Sequence, residues 1–182
     1  MTTFATLISL TRLTAILAAG TFLLAAADGA SNNDGMVEVP TALNPDKLAI
    51  FRVVSATGVQ VYTCTFNPAG ATGWVLRGPD AQLFDPQSKP VGKHYAGPTW
   101  EDLDGSTVVG EVKRSMPAPV DKAVPWLLLA AKSHKGSGAF AQARTIVRME
   151  TTGGTAPGGG CDETRVSQEV RVPYTAIYVF LK

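Results

Sequence analysis

The chain of 182 residues is poor in the side chains that most often ligate metals or act as nucleophiles. It has two histidines, His94 and His134, and two cysteines, Cys64 and Cys161. No H-x-H or H-E-x-x-H pattern occurs, and a zinc site needs three or four closely spaced ligands. Asp102-Leu103-Asp104-Gly105-Ser106 resembles the start of a calcium loop but lacks the terminal Glu such loops use. No metal is therefore expected. Ser106, Ser115 and Ser137 lack the G-x-S-x-G setting of a serine hydrolase. Charged residues are only 17% of the chain, and 16 Lys+Arg face 15 Asp+Glu with no long basic run. Phosphate backbones are held by positive charge, so no nucleic acid is expected as a partner. No internal repeat and no regular alternation of strands with helices is visible.

The longest apolar run, Leu13–Ala27, is too short for a spanning helix, which needs ~20 apolar residues. Arg12 is the only charge before it, and it ends Ala25-Ala26-Ala27, with polar residues from Asp28 on. A positive start, an apolar centre and an A-x-A end make a secretory signal. The expected organisation is a signal peptide over 1–27, a flexible linker over 28–38 and one β domain over 39–182. The protein is expected to be secreted, extracellular or periplasmic, with no membrane span after cleavage. Without Arg12 the positive and negative side chains number 15 each. An even cysteine count in an oxidising setting favours a Cys64–Cys161 disulfide, closing a long loop.

What the chain has in abundance is punctuation: 18 glycines and 12 prolines. They fall every ten or so residues, as in all-β proteins. Strand-like segments are 37–39, 48–54, 59–66, 74–77, 81–84, 91–95, 99–101, 107–113 and 126–131, with a last strand after Pro173. Asp104-Gly105 signals a tight hairpin turn. Trp126–Ala131 reads as a strand covered on both faces. Residues 140–150 fit a helical face as well as a strand, and the β-branched Thr145-Ile146-Val147 run favours strand. The expected fold is all-β, a β-sandwich or small β-barrel of about nine or ten strands.

Several blocks together carry a resemblance. They are Gly58–Cys64, His94-Tyr95-Ala96-Gly97-Pro98-Thr99-Trp100-Glu101, Pro125-Trp126-Leu127-Leu128-Leu129, Gly136-Ser137-Gly138, Thr152–Pro157 and Val172-Pro173-Tyr174. The chain resembles a family of secreted bacterial and fungal proteins filed as a domain of unknown function. Fungal members are sometimes labelled malate dehydrogenase. The resemblance implies an extracellular setting and no established activity. Gly136–Ala141 does read G-x-G-x-x-A, but a dinucleotide site needs a strand, that turn and a helix in succession. Here the segment reads as a loop between strands, and no cofactor is expected.

The densest chemistry lies in His94–Asp104. His94 and Glu101 are the catalytic candidates, as an acid–base pair. His94, Tyr95, Trp100 and Glu101 are together the candidate ligand-binding patch, for a carbohydrate or another small ligand. The architectural alternative has His94 bound to a backbone carbonyl and Trp100 in the core. Trp74, Trp100 and Trp126 could stack sugar rings if exposed. Two functions stay open: a non-catalytic binding or structural module, and a small extracellular enzyme.

Overall fold

The computed structural model describes residues 37–182, which form one compact unit. The signal peptide, its cleavage point and most of the 28–38 linker lie outside the described residues. Eight antiparallel strands make one sheet that closes in a ring in simple chain order. They are β1 (Ile50–Phe66), β2 (Thr72–Phe84), β3 (Pro90–Tyr95), β4 (Thr99–Asp102), β5 (Thr107–Met116), β6 (Trp126–Lys135), β7 (Thr145–Gly153) and β8 (Glu169–Leu181). The ring is uneven and sandwich-like. β1 pairs with β2 from Ser55 to Phe66 and with β8 from Ile50 to Thr63, whereas β4 meets β5 over three residue pairs.

The strand count is lower than expected because two expected turns are interior to strands. Segments 48–54 and 59–66 are one strand through Gly58, and 74–77 and 81–84 are one strand through Gly78-Pro79-Asp80. A Cβ at Gly58 would collide with the Asp80 and Ala81 backbone, so this glycine permits close strand approach. Further along the same ladder, the bulge at Val61/Tyr62 leaves Arg77 as the extra residue, while Gly78, at φ 149°, and Pro79 stay paired with Val61 and Gln60. Val37–Val39, expected as a strand, is irregular and leads into a short 3-10 turn, Thr41–Leu43. The last strand starts at Glu169, ahead of Pro173. Residues 145–150 are strand, and Asp104-Gly105 lies in the β4–β5 turn.

Period-two alternation sorts side chains onto two apolar surfaces. Val54, Leu83, Trp100, Leu129, Ile146, Tyr178 and Phe180 fill the inside of the ring. On the outside of β7 and β8, Val147, Met149, Val179 and Leu181 would meet water. The 37–48 segment covers them with Val37, Val39, Leu43 and Leu48. The β6 run Trp126–Ala131 is covered on both faces as expected: Leu127, Leu129 and Ala131 face the interior cluster, Trp126 and Leu128 the outer one.

Beyond the ring, the ends of β1, β2 and β8 continue as a three-stranded extension. Here Cys64 and Cys161 are disulfide-bonded, with Cα atoms 5.4 Å apart and a sequence separation of 97. Among the described residues, no helix is long and apolar enough to cross a membrane.

Candidate functional site

The β3–β4 hairpin carries all four candidate residues. Ala96-Gly97-Pro98 turns the chain, with Gly97 at φ 124°, a conformation side chains other than glycine's rarely adopt. Pairing across the hairpin is Lys93 with Glu101, His94 with Trp100 and Tyr95 with Thr99. Directly paired residues share a face and neighbours alternate. The hairpin therefore divides the candidates: His94 and Trp100 point into the ring, while Tyr95, Glu101 and Lys93 are on its outside.

Inside, His94 and Trp100 are 2% and 1% exposed. Their rings stack at 4.4 Å with 12° between planes, and Tyr178 closes edge-on at 4.9 Å from His94. His94 Nδ1 lies 2.8 Å from the Thr99 carbonyl. A carbonyl only accepts, so Nδ1 carries the proton and Nε2 of the neutral ring does not. Burial holds the imidazole far below its usual range, at about 3; the Thr99 bond opposes this and the Arg148 charge adds to it. His94 is thus a neutral core residue at physiological pH.

Outside, the Tyr95 hydroxyl donates to Glu101 Oε2 at 2.8 Å, and Lys93 Nζ stands 3.2 Å from Glu101 Oε1. These two contacts hold the Glu101 carboxyl below the ordinary carboxylate range, and the same bond raises the Tyr95 phenol. Lys93 also lies over the Tyr95 ring, 5.6 Å from its centre. A groove of about 240 Å³ runs beside them, lined by Gln82, Gly92, Lys93, Glu101, Asp102 and Leu103, with Gly105 at its end. The Gln82 amide donates to the Gly92 carbonyl, and Arg52 pairs with Asp102. Leu103 is 73% exposed at the rim. The groove is smaller than the ~300–1,000 Å³ pockets that enclose drug-sized ligands. It suits one ring or one short side chain, and not a dinucleotide.

The expected His94–Glu101 acid–base pair is not made. Residues at odd and even positions of these strands project to opposite sides of the sheet, so the imidazole and the carboxylate have the sheet between them. Gly136–Ala141 lies in the irregular connection from β6 to antiparallel β7, with no helix following. Its backbone is tied to the β4–β5 turn, where Ala139 donates to Asp104 at 2.7 Å and Phe140 to Ser106 at 3.2 Å. Trp74 is half-buried, its indole donating to the Gly159 carbonyl at 2.9 Å. Among the described residues, no group of three or more His, Cys, Asp or Glu could hold a metal.

Lys93 and Gln82 were not among the expected site residues. Lys93 was recoverable, because a strand that turns His94 inward must turn Lys93 outward with Tyr95. Gln82 required the β2–β3 register, which places it opposite Lys93.

A family model described as Protein of unknown function (DUF3455) matches residues 45–182. The chain belongs to this family. The match spans β1 to β8 and so takes in the whole ring, the hairpin and both cysteines. No curated protein and no solved structure matches the chain.

Proposed function

We propose that this DUF3455 chain is an exported, non-catalytic binding domain that takes a carbohydrate or similarly polyhydroxylated ligand on the outside of β3–β4. The observation that carries this reading is the fixed Lys93–Glu101–Tyr95 triad along a shallow groove. A carboxylate whose two oxygens are held by different partners has a set orientation, which recognition needs. Sugars present hydroxyl edges and C–H faces together, and the groove offers a carboxylate and an ammonium beside the apolar Leu103, with the Tyr95 phenol bonded to that carboxylate next to it. Tyr95 and Glu101 serve here as binding residues; His94 and Trp100 support the hairpin from below.

Export is supported by the Leu13–Ala27 run with its A-x-A end and fits the disulfide. The enzyme reading would need His94 and Glu101 in one cleft, and their opposite faces weigh against that couple. A carbohydrate pull-down comparing the native protein with Glu101→Gln tests the proposal. The native protein should be retained on at least one polysaccharide matrix and the variant should pass through. Equal retention of both would count against this site.

A further inference from the structure

The inside of the ring holds a second cluster that the outer groove does not use. Gln60, Trp100, Tyr174 and Tyr178 are each at most 2% exposed. The Gln60 amide nitrogen and the Trp100 indole nitrogen have no hydrogen-bond partner among the described residues, and the two tyrosine hydroxyls make no well-formed bond, although they stand near each other and Tyr178 near Arg148. Native interiors rarely leave such groups unpaired, because each has lost its water without replacement.

These side chains are neighbours. The Trp100 and Tyr178 rings are 5.2 Å apart. Tyr178 lies close enough to Tyr174 to add to the burial that raises the Tyr174 phenol. Gln60 and Tyr174 meet under Gly154, where an added Cβ would stand 3.1 Å from Gln60 Cγ and 2.8 Å from Tyr174 Cβ. Gly153 and Gly154, both at positive φ, roof this end, and Tyr62 anchors them by donating to the Gly154 carbonyl at 2.7 Å.

Arg148 supplies a charge. It pairs with Tyr178 across β7–β8 and with Leu127 across β6–β7, which places it on the interior face. Its Nε and Nη2 both donate to the Pro125 carbonyl, at 3.0 and 2.8 Å. No ion pair among the described residues involves it. Its charge is felt by Tyr62, His94, Tyr174 and Tyr178, lowering all four against their burial or adding to it. The cluster thus presents an amide, an indole N–H, two phenols and one cation, with no carboxylate among its own side chains, although the Asp80 charge reaches Tyr174. Donors around a single positive charge match a small monoanion. A ring of eight strands leaves an interior wide enough for its own side chains or one small ligand.

We infer that the interior between Gln60, Trp100, Arg148, Tyr174 and Tyr178 is a binding site for a small carboxylate monoanion. Acetate is the probe, titrated into the purified protein at constant ionic strength. The Trp100 indole N–H resonance, identified through Trp100→Phe, should shift saturably with a Kd in the millimolar range. Arg148→Gln should weaken binding by at least about tenfold, and Arg148→Lys should recover part of it. Should Arg148→Gln fail to fold, Tyr178→Phe removes one hydroxyl and should weaken acetate several-fold in a folded protein. An unmoved indole resonance, an effect matched by chloride, or unchanged acetate affinity in the folded variants would overturn the site. Phosphate bound as tightly as acetate at a pH where it is a dianion would overturn the monoanion class.

Discussion

His94 and Trp100 face each other across the β3–β4 ladder and stack, ring on ring, inside the closed sheet. This pairing decides how the hairpin works. The residues with the most conspicuous chemistry build the floor, and the less conspicuous Lys93, Tyr95 and Glu101 are presented outside.

The stacked pair makes stability depend on pH. The unfolded chain takes up a proton on His94 as pH falls through about 6.5. The folded chain does not until about 3. The residue's contribution is complete above the unfolded value and is lost as pH falls across that window. Between pH ~7 and pH ~4.5 the loss should be about 2–3 kcal/mol. Urea unfolding of the native protein and His94→Gln at both pH values isolates this slope. A slope unchanged by the substitution would contradict the buried neutral imidazole.

Trp100 and Glu101 are adjacent in sequence, and their substitutions should differ in kind. Trp100→Ala truncates a core side chain and should cost about 3–5 kcal/mol. Glu101→Gln keeps shape on the outer face and should leave the urea midpoint nearly unchanged. If Glu101→Gln destabilised as much as Trp100→Ala, the outer triad would be architecture.

The disulfide closes a long loop around most of the domain. Replacing both Cys64 and Cys161 with Ser should destabilise by up to about 4–5 kcal/mol through greater unfolded-chain freedom. A denaturant midpoint within error of the native one would contradict this.

Tyr62 ties the Gly153–Gly154 roof to β1. Tyr62→Phe should cost about 1–3 kcal/mol, because the Gly154 carbonyl loses its partner in a buried place. Amide exchange should quicken from Gly153 to Cys161 and stay slow in β7. Uniform acceleration would point to global loosening instead.

The all-β class, the disulfide and the β3–β4 hairpin were legible in the sequence because each has a local signature: period-two alternation, an even cysteine count, and turn residues between strand-like runs. The strand count was not, since Gly58 and Gly78-Pro79 read as turns but permit close approach and a bulge. That distinction depends on which strand lies opposite. The division of the hairpin was half legible. Alternation puts His94 and Tyr95 on different faces, but the face of Glu101 follows from the three-residue turn that sets the register. Arg148 and Tyr178 could be matched only after β7 and β8 were paired.

The central claim is that the outside of β3–β4 binds a polyhydroxylated ligand. Its most direct test is amide NMR of the native protein titrated with oligosaccharides, repeated with Glu101→Gln. The account predicts saturable shifts confined to Gln82, Lys93–Tyr95 and Glu101–Leu103, lost in the variant while its spectrum stays that of a folded protein. Shifts that persist in Glu101→Gln, or that map to another face, would contradict it.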